Sequence, residues 1–203
     1  MGDPTVVLWD IGGVLLSNGF DDADRAAAAA RFGLDLPEFE RRHHETLEAF
    51  ERGQLSLDDY LDVTVFYTPR AFRREDVKSF IFGCSTPHPE VIELARAVAA
   101  TPGRLTGCLN NESRELNDFR LRTFGLDRFL SVRFSSCYTG RRKPDLVAYR
   151  LAADVLGRPP ADIVFIDDRA ENVAPAATLG FRAIQYHTPA QLRTDLDAVG
   201  VHW

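Results

Sequence analysis

TVVLWD, residues 5–10, is a short run of β-prone apolar residues that ends in a carboxylate, Asp10. Gly12 and Gly13 follow within three positions, so the run reads as a buried strand entering a sharp turn. A second run of this kind, IVFI at 163–166, also ends in acid, at Asp167 and Asp168. Two fully apolar strands with no polar alternation are the pattern of a parallel sheet covered on both faces.

Working outward, helix and strand alternate after Pro87. Helices are expected over 89–100, 113–124, 144–156, 171–179 and 189–198, and strands over 104–109, 132–135 and 182–185. The stretch 21–82 reads differently. Asp21 or Asp22 caps a helix that runs through an alanine tract to Phe32. Pro37 opens a second helix past His43 and His44, Ser56 caps a third with Asp58 and Asp59 in its first turn, and 73–82 forms a fourth. The expected fold is α/β, a Rossmann-like parallel-sheet core of residues 1–16 and 88–203. An all-helical cap at 17–87 is inserted after the first strand.

Composition narrows the function. The chain has 203 residues, 45% hydrophobic and 27% charged, which suits one globular domain with an insertion. No apolar run is long enough to span a bilayer, and the acidic start MGDPTVVLWD does not suit a signal peptide. A net charge of −6 argues against a nucleic-acid partner. Three widely spaced cysteines, Cys84, Cys108 and Cys137, suit neither a disulfide framework nor a zinc site, so a cytoplasmic protein is expected. Lys78 and Lys143 are the two lysines among 24 basic residues, which marks both positions.

In open α/β sheets, ligands bind beyond the carboxyl ends of the strands. The residues placed there are Asp10, Asn110, Asn111, Asp167 and Asp168, with Lys143 just before a helix. Carboxylates suit a hard, water-rich ion such as Mg²⁺, and the lysine and amides suit a phosphate. That combination is phosphoryl-transfer chemistry on a small phosphorylated metabolite.

The segments VVLWDIGGVL at 6–15, GCLNNES at 107–113, GRRKPDLVAYRLAADVLG at 140–157 and IVFIDDRAENVAPAATLG at 163–180 together resemble the haloacid dehalogenase (HAD) superfamily, in its helical-cap branch. Within it the chain is similar to small bacterial sugar-phosphate phosphatases, including the α-D-glucose-1-phosphate type, and the cap stretch ERGQLSLDDY at 51–60 shares in that likeness. The resemblance implies that Asp10 is the nucleophile that forms an aspartyl-phosphate. It implies that Lys143 neutralises the nucleophile and the phosphoryl group. Asp10, Asp168, the Gly12 carbonyl and neighbouring Asp167 are the implied metal set, and Asn172 falls where a supporting acid or amide sits. Asn110 and Asn111 are the implied phosphate-binding positions.

Two positions depart from the family pattern. Its general acid/base aspartate stands two residues after the nucleophile, where this chain has Gly12. Its Ser or Thr after the second motif strand is here Asn110. A placed acid is worth roughly 10²–10⁴-fold on a poor leaving group, so its lack favours good leaving groups. Glu112 and the cap histidines are the residues that could replace it. The alternatives are a 2-haloacid dehalogenase, which needs no metal, and an impaired pseudoenzyme that binds phosphate or a partner.

Overall fold

The computed structural model describes residues 4–203. Five parallel strands lie in the order β3-β2-β1-β4-β5: β1 (Val6–Trp9), β2 (Leu105–Cys108), β3 (Val132–Arg133), β4 (Ile163–Asp167) and β5 (Arg182–Gln185). β1 is central, paired with β2 on one side (Trp9 opposite Cys108) and β4 on the other (Trp9 opposite Ile166). This register brings the ends of β1 and β4 to one level, so Asp10 and Asp167 emerge side by side. The expected strand at 132–135 is shorter than the sequence suggests, because Ser135 turns the chain into a short helix over Ser136–Thr139.

The strand side chains alternate between two hydrophobic layers. Val7, Trp9, Val164 and Ile166 pack beneath α5 (Pro89–Ala100), α6 (Arg114–Thr123) and α10 (Pro189–Ala198). Val6, Leu8, Ile163 and Phe165 pack against α8 (Leu146–Leu156) and α9 (Ala170–Thr178), the short helix over Ser136–Thr139 being α7. Neither face of these strands reaches solvent, which is why β1 and β4 carry no polar alternation.

After β1 the chain leaves the sheet and forms α1 (Asp22–Phe32), α2 (Leu36–Glu51), α3 (Leu57–Thr64) and α4 (Arg74–Gly83). Each start is chemically marked. Asp21 accepts the Asp24 N–H, Asp35 accepts the Glu38 N–H, and Ser56 with Asp59 forms a reciprocal capping box. These helices share a third hydrophobic cluster, including Phe39, Phe50, Tyr60, Leu61 and Ile81, closed from below by Leu116 of α6. The two crossings between helices and sheet are tied together: Ser17 N–H donates to Thr86 C=O at 2.8 Å, and Thr86 N–H donates to Ser17 Oγ at 3.0 Å. Among the described residues, no helix is long and apolar enough to cross a membrane.

Candidate active site

Asp10 leaves the end of β1 with its N–H bonded to Ile166 C=O at 2.8 Å. Its Oδ1 accepts from Ile11 N–H at 2.8 Å and from Lys143 Nζ at 2.9 Å. Lys143 Nζ also donates to Asp167 Oδ2 at 2.5 Å. All three residues are buried, Asp167 completely. The remaining capacity of the Asp167 carboxylate is taken by Arg169 N–H at 2.8 Å and by Asn172 Nδ2 at 3.0 and 3.1 Å. Asn172 in turn accepts from Tyr149 through its main-chain carbonyl at 2.7 Å. Asp167 therefore anchors the lysine and the start of α9.

Asp168 stands one residue further out, and its Oδ1 is buried with no hydrogen-bond partner among the described residues. Asp10, Asp167 and Asp168 each bring a carboxylate oxygen within 4.8 Å of the others. Gly13 makes this approach possible. Its φ is 76°, and a Cβ there would lie 2.3 Å from Asp168 Oδ2. Gly12 keeps out of the left-handed region, so the conformational demand falls on Gly13 and not on its neighbour.

One ammonium thus faces three carboxylates. Burial pushes the Asp10 carboxyl well above the ordinary aspartate value, Lys143 opposes this, and Asp167 and Asp168 add to it. Burial followed by the charge of Asp167 also raises Asp168. Burial works against the Lys143 ammonium, yet Asp10 and Asp167 hold its pKa above the ordinary lysine value. The lysine stays charged, and one ammonium cannot offset three ionised carboxylates.

The two asparagines part ways. Asn111 clamps the main chain of Lys143, accepting its N–H at Oδ1 and donating from Nδ2 to its C=O, each at 2.8 Å. Asn110 is turned away from the open site: its Nδ2 donates to Asn117 Oδ1 at 2.9 Å, and its Oδ1 accepts from Ser135 Oγ at 2.8 Å. The helix expected from Pro144 begins at Leu146, because Asp145 N–H closes a turn onto Arg142 C=O at 3.0 Å. That turn presents Lys143 to the strand ends.

A cavity of about 350 Å³ opens above these groups, lined by Asp10, Gly12, Asn111 and Lys143 from below and by α1, α2 and α3 from above. His43, from the pair singled out in the sequence, lies in its wall with Nδ1 2.8 Å from Tyr60 Oη. Burial, with the Arg25 and His44 charges, drops its pKa to about 3, so the ring is neutral. Two further wall residues form a pair: Arg120 Nη1 donates to Glu112 Oε2 at 2.7 Å. Arg120 escapes sequence reasoning because arginine is ordinarily an exposed residue. Its spacing from Leu116 and Asn117 on the buried face of α6 is the signal that finds it.

The chain matches the haloacid dehalogenase-like hydrolase family over residues 4–180. It is 28% identical over 175 residues to flavin mononucleotide hydrolase 1 of Arabidopsis thaliana, an overlap of 85% of this chain and 70% of that protein. It is 27% identical over 143 residues to the sesquiterpene phosphatase astK of Aspergillus oryzae, covering 67% of this chain and 69% of that one. Among solved structures, a HAD family enzyme of Bacteroides thetaiotaomicron in complex with magnesium superposes with a TM-score of 0.75. The superposition covers 92% of this chain and 94% of the other at 16% identity, a likeness of fold.

Proposed function

The chain belongs to the haloacid dehalogenase-like hydrolase family, and from that premise we propose that it is a Mg²⁺-dependent phosphatase of a small phosphate monoester. The reaction passes through an aspartyl-phosphate on Asp10. The observation that carries this reading is the crowding of carboxyl groups at the strand ends, one ammonium against three, with Asp168 Oδ1 unpartnered among the described residues. A divalent cation suits that crowding, and the donors are all oxygen, as Mg²⁺ prefers. Asp10, Asp168 and the main-chain carbonyl of Gly12 would hold it, with Asp167 in the same acidic group. When bound, the ion polarises phosphoryl oxygens and draws an anionic ester toward carboxylates that would otherwise repel it.

The remaining roles belong to the chain's own side chains. Asp10 Oδ1 is fixed by Ile11 N–H and Lys143, which aims the carboxylate for attack on phosphorus. Lys143 offsets charge on the nucleophile and on the transferring phosphoryl group. Asn111 holds Lys143 in place through its main chain. Asn110 supports the rim from within, through Asn117 and Ser135. The dehalogenase alternative is less well supported, since a carboxylate substrate would meet the same unbalanced acids with no cation between.

We take residues 17–87 as the cap that selects the substrate. Its wall carries Phe20, Leu47, Phe50, Tyr60 and Ile81 beside the polar Asn18, Asp21, Asp22, His44 and Glu51. Arg25 alone serves Glu40, Asp22 and the Phe20 carbonyl. Such a wall offers a leaving group both apolar contact and hydrogen-bonding partners. The three cysteines are free thiols, and this suits a cytoplasmic enzyme.

The test is phosphate release from 4-nitrophenyl phosphate and a panel of alkyl, aryl and sugar phosphates, with Mg²⁺ and with excess chelator. Turnover in Mg²⁺, lost on chelation and restored by added Mg²⁺, is expected. Undiminished hydrolysis in chelator contradicts the reading.

A further inference from the structure

We propose that Glu112 supplies the proton-transfer group that position 12 lacks, protonating the leaving oxygen and then deprotonating the attacking water. This rests on the phosphatase reading above. A Cβ built on Gly12 would lie 3.3 Å from Asn18 Oδ1 and 3.7 Å from Arg120 Nη1, so a side chain at position 12 would point at Arg120. That same Nη1 is 2.7 Å from Glu112 Oε2. Glu112 therefore reaches, from the loop just before α6, the region a residue at position 12 would enter from the end of β1. Both line the cavity with Asp10.

The carboxyl is held rigidly. Glu112 Oε1 accepts from Ser113 N–H at 2.9 Å, and Glu112 N–H donates to Ser136 Oγ at 3.0 Å. Arg120, 2% exposed, is fixed by Ser85 Oγ at 3.0 Å and by the Asn18 carbonyl at 2.6 Å. The charged groups facing Glu112 are Arg120 from α6 and Glu51 from α2. Burial lifts its carboxyl above the ordinary glutamate value against Arg120, and Glu51 adds to the rise. The cap histidines in the wall are otherwise engaged, His44 through its Nδ1 with the Glu40 carbonyl at 2.6 Å. His43 is held neutral and its Nδ1 is engaged by Tyr60, so it has no proton to give near neutral pH.

The chemistry balances in two halves. In the first, an Asp10 oxygen bonds to phosphorus, the bond from phosphorus to the ester oxygen breaks, and the Glu112 proton passes to that oxygen. The alcohol leaves neutral, and Glu112 becomes a carboxylate beside Arg120. In the second, a water oxygen bonds to phosphorus, the bond from Asp10 to phosphorus breaks, and the water's proton returns to Glu112.

The experiment compares 4-nitrophenyl phosphate with benzyl phosphate, two aromatic esters with leaving groups of very different pKa, on the full chain with Mg²⁺. Glu112→Gln should cut the phosphorylation step for benzyl phosphate by about 10²–10⁴-fold and that for 4-nitrophenyl phosphate by less than about tenfold. It should also release 4-nitrophenol in a burst of about one equivalent before a slow steady state, since water activation is lost as well. Glu112→Asp, which keeps the charge pair, covers the case in which the glutamine variant does not fold, and the same selective loss is expected. Gly12→Asp in the Glu112→Gln background should restore benzyl phosphate turnover. Equal losses on both esters without a burst would make Glu112 a merely structural partner of Arg120 and overturn the proposal. So would wild-type rates in the variant, or the selective pattern appearing in Glu51→Gln instead. Asp10-dependent turnover by the wild type alongside any of those results leaves the phosphatase reading standing; a wild type inert on both esters removes both.

Discussion

The side chain of Asn111 closes a ring of two hydrogen bonds on the main chain of Lys143, one from its N–H and one to its C=O, each 2.8 Å long. The loop after β2 thereby sets the position of a buried ammonium that β1 and β4 share through Asp10 and Asp167. The lysine is held at both ends by different parts of the sheet.

Asn111→Ala removes both bonds and leaves the Lys143 main-chain groups without that partner. A partly buried bond of this kind contributes about 1 kcal/mol, and a misplaced catalytic group costs up to about 10²-fold in rate. We expect kcat on 4-nitrophenyl phosphate to fall by about 10–10²-fold with a small loss in melting temperature. Steady-state kinetics beside a thermal melt checks this.

Gly13→Ala places a methyl group 2.3 Å from Asp168 Oδ2 on a backbone with φ of 76°. Asp168 must move out of the acidic group. Calorimetric titration should show Mg²⁺ affinity falling at least about tenfold, as for a lost carboxylate ligand. Gly12→Ala, with no positive φ and no backbone clash, should bind Mg²⁺ as the wild type does.

Asp10→Asn should abolish turnover, because an amide is no nucleophile here. It should also raise the melting temperature in metal-free buffer. Burial raises the Asp10 carboxyl, so its ionisation opposes folding, and that penalty grows as pH rises through the folded-state pKa. The gain over wild type should accordingly be larger at pH 8 than at pH 5, as melts at the two values will show.

His43 contributes a pH dependence of the opposite sense. Its folded pKa is near 3 and its unfolded value near 6.5, so the unfolded chain takes up a proton first as pH falls. The associated stability is complete above pH 6.5 and is lost below it, by about 1.4 kcal/mol per pH unit at most. Urea unfolding between pH 7 and 5 should show this slope in the wild type and a shallower one in His43→Phe.

The α/β order and the insertion after the first strand were legible because β1 and β4 are apolar throughout and end in acids, and because Asp21, Asp35 and Ser56 mark their helices locally. Asp10, Asp167 and Asp168 were legible as rim residues for the same reason, and Lys143 as one of two lysines, standing just before a helix. What the sequence does not carry is the pairing across the chain. The Asn111 clamp joins residues 32 apart, and the Glu112–Arg120 pair reaches the cavity only when α6 packs beside the crossing at Asn18 and Ser85. Asn110 is hidden similarly. Its turn toward Asn117 and Ser135 depends on where α6 and α7 lie, which no local propensity encodes.

The central claim is that Asp10 attacks phosphorus and that water then attacks phosphorus in turn. A single turnover of 4-nitrophenyl phosphate in water enriched in oxygen-18, with Mg²⁺, tests it most directly. The released phosphate and the peptide containing Asp10 are then weighed by mass spectrometry. The account predicts the heavy oxygen in phosphate and none in Asp10; heavy oxygen in the Asp10 carboxyl would mean attack at carbon, as in a dehalogenase, and would contradict it.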